Sequence, residues 1–406
     1  MASNENELCA DTIVALGLTA HPEAWQADTA SVTTSDVSLS NAATELLQGL
    51  FRQAQLLACL QWLNEFQILA YVPLRTRVAY NDLADLTGVL PQQIRRIVRT
   101  TATAGILCEP HPESVAHTPL STLLVKKPSF LDAVNFTAET VVPASLRMAE
   151  ATRLQMRHHK KDASPYQIAT NCSLSLAAAC EKNAKLHRRA VAFQRLITSG
   201  GTSAVLNILS SIDLEGLGKA IVEVNAVSTA VAKALYSRSP SLWFVVQVRE
   251  GIKQTESRLS WQRVNSLSWL KVQSRVAGTP QNESDAAVYL LHLPDPYFYG
   301  SSSEHAEICV AELRAHFDLL RINDKATLIL IADVVPDTCG SSEAEARLQD
   351  LLLLQLGHDV VFDLKRLKGL MEFAREDADK ITVVKQLSSS RHSLVAFLLR
   401  SSKISS

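Results

Sequence analysis

The sequence predicts an α/β protein: an N-terminal winged helix-turn-helix followed by a doubly wound, mostly parallel sheet that ends in an antiparallel hairpin. Three observations predict it. After Gly200, continuous apolar runs alternate with helical patterns, the mark of a parallel sheet covered on both faces. The last two apolar runs have no helix between them and read as a hairpin. Before residue 130, helix, short strand, helix, turn, helix and paired-strand patterns follow in the order of a winged helix.

Taken in order, residues 1–40 are polar without a sustained period and read as a disordered tail. A long helix is expected over residues 41–66, with Asn41 as N-cap and Leu46, Leu50, Ala54, Leu57, Leu60 and Leu63 at spacings of three and four. A short strand over residues 77–80 precedes a helix that Asn81 caps and Gly88 ends. Pro91 opens a third helix, with Ile94, Ile97, Val98 and Thr101 on one side, which Gly105 closes. Residues 106–110 and 114–119, parted by His111 and Pro112, form the wing. This domain is expected over residues 41–130, a helical linker over 131–198 and the α/β domain over 199–406. Strands are expected at 220–224, 243–248, 287–291, 326–334, 381–387 and 394–399, and helices at 230–236, 304–320 and 342–355.

Composition narrows the function classes. The 406 residues are 47% apolar, enough for two or three cored domains, and 40 basic residues balance 41 acidic ones. No global field therefore drives the chain onto nucleic acid or an anionic membrane. No apolar run approaches the roughly 20 residues of a membrane span, and the first residues lack the basic-then-apolar pattern of a signal peptide. The chain reads as soluble and intracellular. Seven scattered cysteines without a CxxC pair argue against a disulfide framework and against zinc, so no metal is expected. There are 14 glycines, where ordinary usage would give roughly 28.

Two basic features call for comment. Arg95, Arg96 and Arg99 give the third helix an edge that faces DNA phosphates or a protein partner; the alternative is a solvated face beside a dimer interface. The runs at 157–161 and 185–189 read as a solvated linker, against nuclear import or a phosphate contact. His158 and His159, being adjacent, point to different sides of a helix and do not ligate a metal together.

Three stretches carry a resemblance: QLLACLQWLNEFQILAYVPL from Gln55, IRRIVRTTATAGILCEPHPESVAHTPLS from Ile94, and IVEVNAVSTAVAKALYSRSPSLWFVVQ from Ile221. They resemble the methyltransferase-like transcriptional co-activators of fungal polyketide gene clusters, the aflatoxin-cluster co-activator family, a degenerate branch of the S-adenosylmethionine-dependent small-molecule O-methyltransferases. The resemblance implies a class I methyltransferase-like sheet and a non-catalytic co-activator that acts with a zinc-cluster transcription factor. It implies contact with DNA directly or through that partner, and a homodimer formed through the winged-helix domain. The expected place is the nucleus, with a cytoplasmic pool also compatible. Two other readings stay open: a pseudo-methyltransferase repurposed as a polyketide cyclase or pericyclase, and, behind it, an active O-methyltransferase.

The resemblance also marks what a methyltransferase would need. Its glycine-rich turn, V-D-V-G-G-G-x-G, falls on Val222, Glu223, Val224, Asn225, Ala226, Val227, Ser228 and Thr229, where no glycine stands and Val227 is branched at Cβ. The acidic residue that would accept hydrogen bonds from the cofactor ribose falls on Gln247. Loss of charge assistance there costs on the order of 1–3 kcal/mol. The His-Asp-Trp segment of the family's general base is missing, with His292 too early and His305 well into the next helix. The family's Glu-Arg-Thr segment, which orients that base, is missing where LGHDVVFDLKRL stands. No S-adenosylmethionine binding, or only weak binding, is expected. Glu223 and Gln247 leave room for a vestigial ligand site, and His292, Asp295, Tyr297 and Tyr299 are candidates to line a cleft. No Walker lysine loop, G-x-S-x-G elbow or histidine pair at helical spacing suggests another enzyme.

Overall fold

A computed structural model describes residues 32–158, 163–197, 199–249, 267–336, 344–375, 381–388 and 394–401. Most of the expected tail, residues 159–161 of the first basic run, and residues 342 and 343 of an expected helix lie outside these. The chain divides into two compact units, Met1–Pro143 with Lys185–Leu196 and Ala144–Ala184 with Ile197–Ser406. The stretch expected as one linker is thus shared between them.

In the first unit the long helix α1 spans Val32–Glu65, beginning nine residues before Asn41. Asn41 lies inside it and is no cap. No glycine or proline interrupts residues 32–48, and the Thr44 hydroxyl donates back to the Ser40 carbonyl at 2.8 Å, so the polar start does not break the helix. Strand β1, Val78–Ala79, leads into α2, Tyr80–Thr87, where Ala79 rather than Asn81 stands at the N-cap. Gly88 ends α2 at φ 71° and Gly105 follows α3, Pro91–Ala102, at φ 69°, both left-handed positions that favour glycine. Strands β2, Leu107–His111, and β3, Ser114–His117, pair antiparallel, and β1 adds to β3 with Val78 opposite Val115. Leu63, Ile68, Tyr80, Leu83, Ile94 and Val98 form the centre of this unit's core.

The second basic run, expected as a solvated linker, is exposed at Lys185 and Arg188 but buried at Arg189. Arg188 grips Asp132 with two bonds of 2.9 and 3.0 Å, and the buried Arg189 pairs with Glu139, which ties residues 185–196 into the first unit.

The second unit holds all six expected strands: β4 (Ala220–Ala226), β5 (Trp243–Arg249), β7 (Val288–His292), β8 (Thr327–Asp333), β9 (Ile381–Ser388) and β10 (Leu394–Ser401). A seventh, β6 (Leu270–Arg275), was not expected, because only Leu270 and Val272 are buried apolar residues in this alternating edge strand. The order is β6-β5-β4-β7-β8-β10-β9. Strands β4 to β8 pair parallel, and β10 runs antiparallel to both β8 and β9, which is the expected terminal hairpin. Helices α4 (Ala230–Arg238), α5 (Ser302–Ile322) and α6 (Ala344–Leu356) follow the expected positions, and α7 (Leu364–Arg375) is additional.

Alternate residues feed two cores, one on each face. Ile221 and Val246 pack with Val231 and Leu235 of α4, while Val222, Val224 and Val245 pack with Leu313 and Phe317 of α5 and Leu367 and Met371 of α7. The chain runs outward one way through β4, β5 and β6 and the other way through β7 and β8. The carboxyl ends of β4 and β7 therefore flank the switch point, where open α/β sheets bind ligands.

Candidate functional site

The strand ends at this switch point bring together residues that lie far apart in the chain. Strand β4 supplies Glu223 and Asn225; the register slips between Val224 and Ala226, so Asn225 does not follow the strand's alternation and bonds to Glu312 of α5. Strand β5 supplies Gln247, β6 ends on Arg275 and β7 ends on His292.

Glu223 is 2% exposed and its Oε1 lies 3.2 Å from His292 Nε2, so two expected site residues meet. The other oxygen, Oε2, has no hydrogen-bond partner among the described residues. Asn225 adopts φ 58°, the left-handed conformation that a glycine would supply and that asparagine tolerates better than most residues. Its amide nitrogen donates to the His292 carbonyl at 3.0 Å and to Glu312 Oε1 at 3.3 Å. The turn itself thus survives the loss of glycine. Ala226 and Thr229 are buried and Val227 is exposed.

Gln247, 1% exposed, does not present a free acceptor. Its amide and that of Gln281 bond reciprocally, with distances of 2.7 and 2.9 Å. Gln281 Nε2 also lies 3.4 Å from His316 Nε2. The His316 Nδ1 hydrogen goes to the Glu312 carbonyl at 2.8 Å, and burial, the largest influence, holds this imidazole below the usual histidine range. It is therefore neutral and accepts at Nε2.

Beneath these lies a buried ion pair. Glu312 is fully buried and Arg275 nearly so; the Glu312 carboxylate accepts from the Arg275 guanidinium, the Gly278 amide and Asn225. Arg275, Gln281, Glu312 and His316 were not singled out from sequence. One signal was available: Glu312 shares the inward side of α5 with Cys309, Leu313 and His316, and a carboxylate on a core-facing stripe needs a partner.

The remaining expected residues divide. The Asp295 carboxylate accepts from the Tyr297 amide at 3.0 Å and so shapes the turn after β7. Tyr297 is buried with a hydroxyl that lacks a partner among the described residues, and burial, with Asp295 and Asp333 adding to it, pushes its pKa well up. Tyr299 tilts against the His305 ring at 5.6 Å. His305 sits in the first turn of α5, not deep in the helix, and donates from Nε2 to the Pro294 carbonyl at 2.8 Å. Among the described residues, no group of three His, Cys, Asp or Glu side chains is placed to hold a metal.

In the first unit, two of the three arginines on α3 are already engaged. Arg99 makes two bonds to Glu109, of 2.8 and 3.0 Å, and Arg95 pairs with Glu113 while lying over the Tyr80 ring. Arg96 is exposed and makes no ion pair among the described residues.

A nucleoside cofactor does not fit this set of residues. The ribose acceptor is an amide, and that amide is taken by Gln281. His292 is bonded to Glu223, His305 to a carbonyl, and His316 is fully buried. The fold and site define a class: a methyltransferase-like protein whose residue at the ribose-acceptor position, Gln247, is bonded to its own Gln281.

Known structures agree on the fold. The mitomycin 7-O-methyltransferase MmcR superposes with a TM-score of 0.60 at 17% identity, over 91% of this chain and 100% of that one. A structure described as a pericyclic reaction enzyme gives 0.64 at 12% identity, over 96% and 99%. No protein-family model matches the chain. Curated relatives say more. The chain is 39% identical over 340 residues to a transcriptional coactivator of Pseudocercospora fijiensis, covering 82% of this chain and 92% of that one. It is 36% identical over 378 residues to a dothistromin biosynthesis regulatory protein of Dothistroma septosporum, covering 87% and 83%. It is 33% identical over 408 residues to the monodictyphenone cluster transcriptional coactivator of Emericella nidulans, covering 89% and 85%. The chain belongs to this family of transcriptional coactivators of fungal biosynthetic gene clusters.

Proposed function

We propose that the chain is a non-catalytic transcriptional coactivator of a fungal secondary-metabolite cluster of the polyketide type, acting in the nucleus with a zinc-cluster transcription factor. The observation that carries this reading is the similarity, collinear over more than four-fifths of the chain, to proteins named as cluster coactivators. The Gln247–Gln281 pair supports it from the other side, because a partner-binding protein has no need of a free ribose acceptor. The cyclase reading draws only on fold likeness at 12% identity.

Within this reading the first unit is a winged helix that pairs two copies of the chain and sets their geometry. Helix α1 leaves Leu46, Leu47, Leu50 and Phe51 exposed by 45%, 65%, 54% and 68%. Four large apolar side chains on adjoining turns, left in water, call for a cover. A second α1 in a homodimer supplies it. With Arg95 and Arg99 committed to glutamates, base reading falls to the transcription factor, and this chain adds binding energy by linkage.

The test uses purified full-length chain, the cluster's zinc-cluster factor and a labelled promoter fragment. The reading expects little retardation by the chain alone and a larger, tighter complex when both proteins are present. Unchanged promoter affinity of the factor, with no stable complex between the two proteins, would remove it.

A further inference from the structure

The misfit between this crevice and a nucleoside has one local cause. In doubly wound folds the residue ending the strand next to the glycine turn accepts the ribose hydroxyls; here that residue is Gln247, and a side chain from the β6–β7 loop is already bonded to it. We propose that Gln281 is the chain's own occupant of the ribose position and that this loop is a fixed plug.

Every hydrogen-bonding atom of the Gln281 amide is used. Its oxygen accepts from Gln247 and from the Glu283 amide at 3.2 Å, and its nitrogen donates to Gln247 and toward the neutral His316. The loop is held at both ends. At its start, Arg275 and the Gly278 amide bond to buried Glu312, and Arg275 also donates to the Thr279 carbonyl. At its end, the Tyr289 hydroxyl donates to the Glu283 carbonyl at 2.7 Å, and Asn323 donates to the Ser284 carbonyl at 3.0 Å. These anchors make the block part of the fold rather than a movable flap. Restoring an acid at position 247 alone would therefore leave the Gln281 amide bonded to it. Opening the site takes two substitutions.

The experiment compares wild type, Q247D, Q281A and Q247D/Q281A as full-length proteins, titrating each calorimetrically with adenosine. This probe leaves out the part of a cofactor that the altered turn at Asn225 to Thr229 would meet. The expected result is that the double variant binds adenosine at least roughly tenfold more tightly than the other three, the gain of a charge-assisted acceptor. Equal affinity across all four, or the full gain in Q247D alone, overturns the proposal. A second measurement does not depend on adenosine. Q247L and Q281L should each lower Tm, while Q247L/Q281L should melt no lower than either single variant, because both polar partners leave together. Additive losses would show that the two amides do not form the pair. The titration needs no transcription factor, so its failure would leave the coactivator reading standing.

Discussion

Replacing Glu312 with alanine probes the buried ion pair of the candidate site. The side chain is fully buried, its partner Arg275 is 7% exposed, and the Gly278 amide and Asn225 donate to the same carboxylate. Removing it strands a guanidinium in a medium that cannot solvate it. Breaking a buried pair from one side costs about 3–5 kcal/mol, a large part of the roughly 5–15 kcal/mol that holds a typical protein folded. At about 2–4 °C per kcal/mol for a domain of roughly this size, Tm should fall by about 6–20 °C. E312Q also strands the guanidinium and turns an NH2 toward a donor, so it should lose about as much as E312A, about 3–5 kcal/mol. R275M/E312L, which removes both charges, should return to the wild-type value or above it. The assay is urea unfolding followed by far-UV circular dichroism, with thermal melting beside it. A loss under about 1 kcal/mol in E312A, or a further loss in the double variant, would refute the view that this pair is a sealed structural element.

Four further outcomes are expected. Gly218 sits at φ 145° and an added Cβ would lie 2.2 Å from the Ala287 Cβ, so G218A should cost at least about 2 kcal/mol in the same urea assay. His316 is held neutral below the ordinary histidine range; the unfolded chain takes up its proton first, so stability is unaffected above that range and falls as pH drops through about 6.5. H316Q should flatten this decline by up to about 1.4 kcal/mol per pH unit in pH-dependent unfolding. L47E/F51E, changing two exposed residues of α1, should convert a dimer to a monomer in light scattering, with melting shifted by only about 0.5 kcal/mol or less. R96A should weaken the promoter complex formed with the transcription factor and reduce its log–log salt slope by about 1, whereas R99A should act by loosening the β2–β3 hairpin from α3.

Much of the fold could be read because local chemistry and burial agreed. The largely apolar runs at 220–224 and 326–334 are parallel strands buried over most of their length, and Pro91, Gly88 and Gly105 mark helix ends that those residue types suit well. Strand β6 escaped because an edge strand with two buried apolar residues has too little signal, and the start of α1 escaped because serine and threonine tolerate a helix without favouring one. In the site, the altered turn and the neutral residue at 247 were visible as departures from a pattern. What bonds to these residues was not, since Gln281 and Glu312 meet Gln247 and Asn225 only through pairings 34 and 87 residues apart in the chain. The third helix shows the reverse error of scale. Its three arginines look alike in sequence, yet two are neutralised by Glu109 and Glu113, which only the folded hairpin brings alongside.

The most direct measurement of function is to delete the gene encoding this chain in its host and to record, in one culture, cluster transcripts by RNA sequencing and cluster metabolites by mass spectrometry. A coactivator without methyl-transfer chemistry predicts that transcripts of the cluster fall together and that no intermediate accumulates. Unchanged transcripts with one accumulating precursor, lacking a methyl group or a ring closure, would contradict it and return the chain to the enzymes.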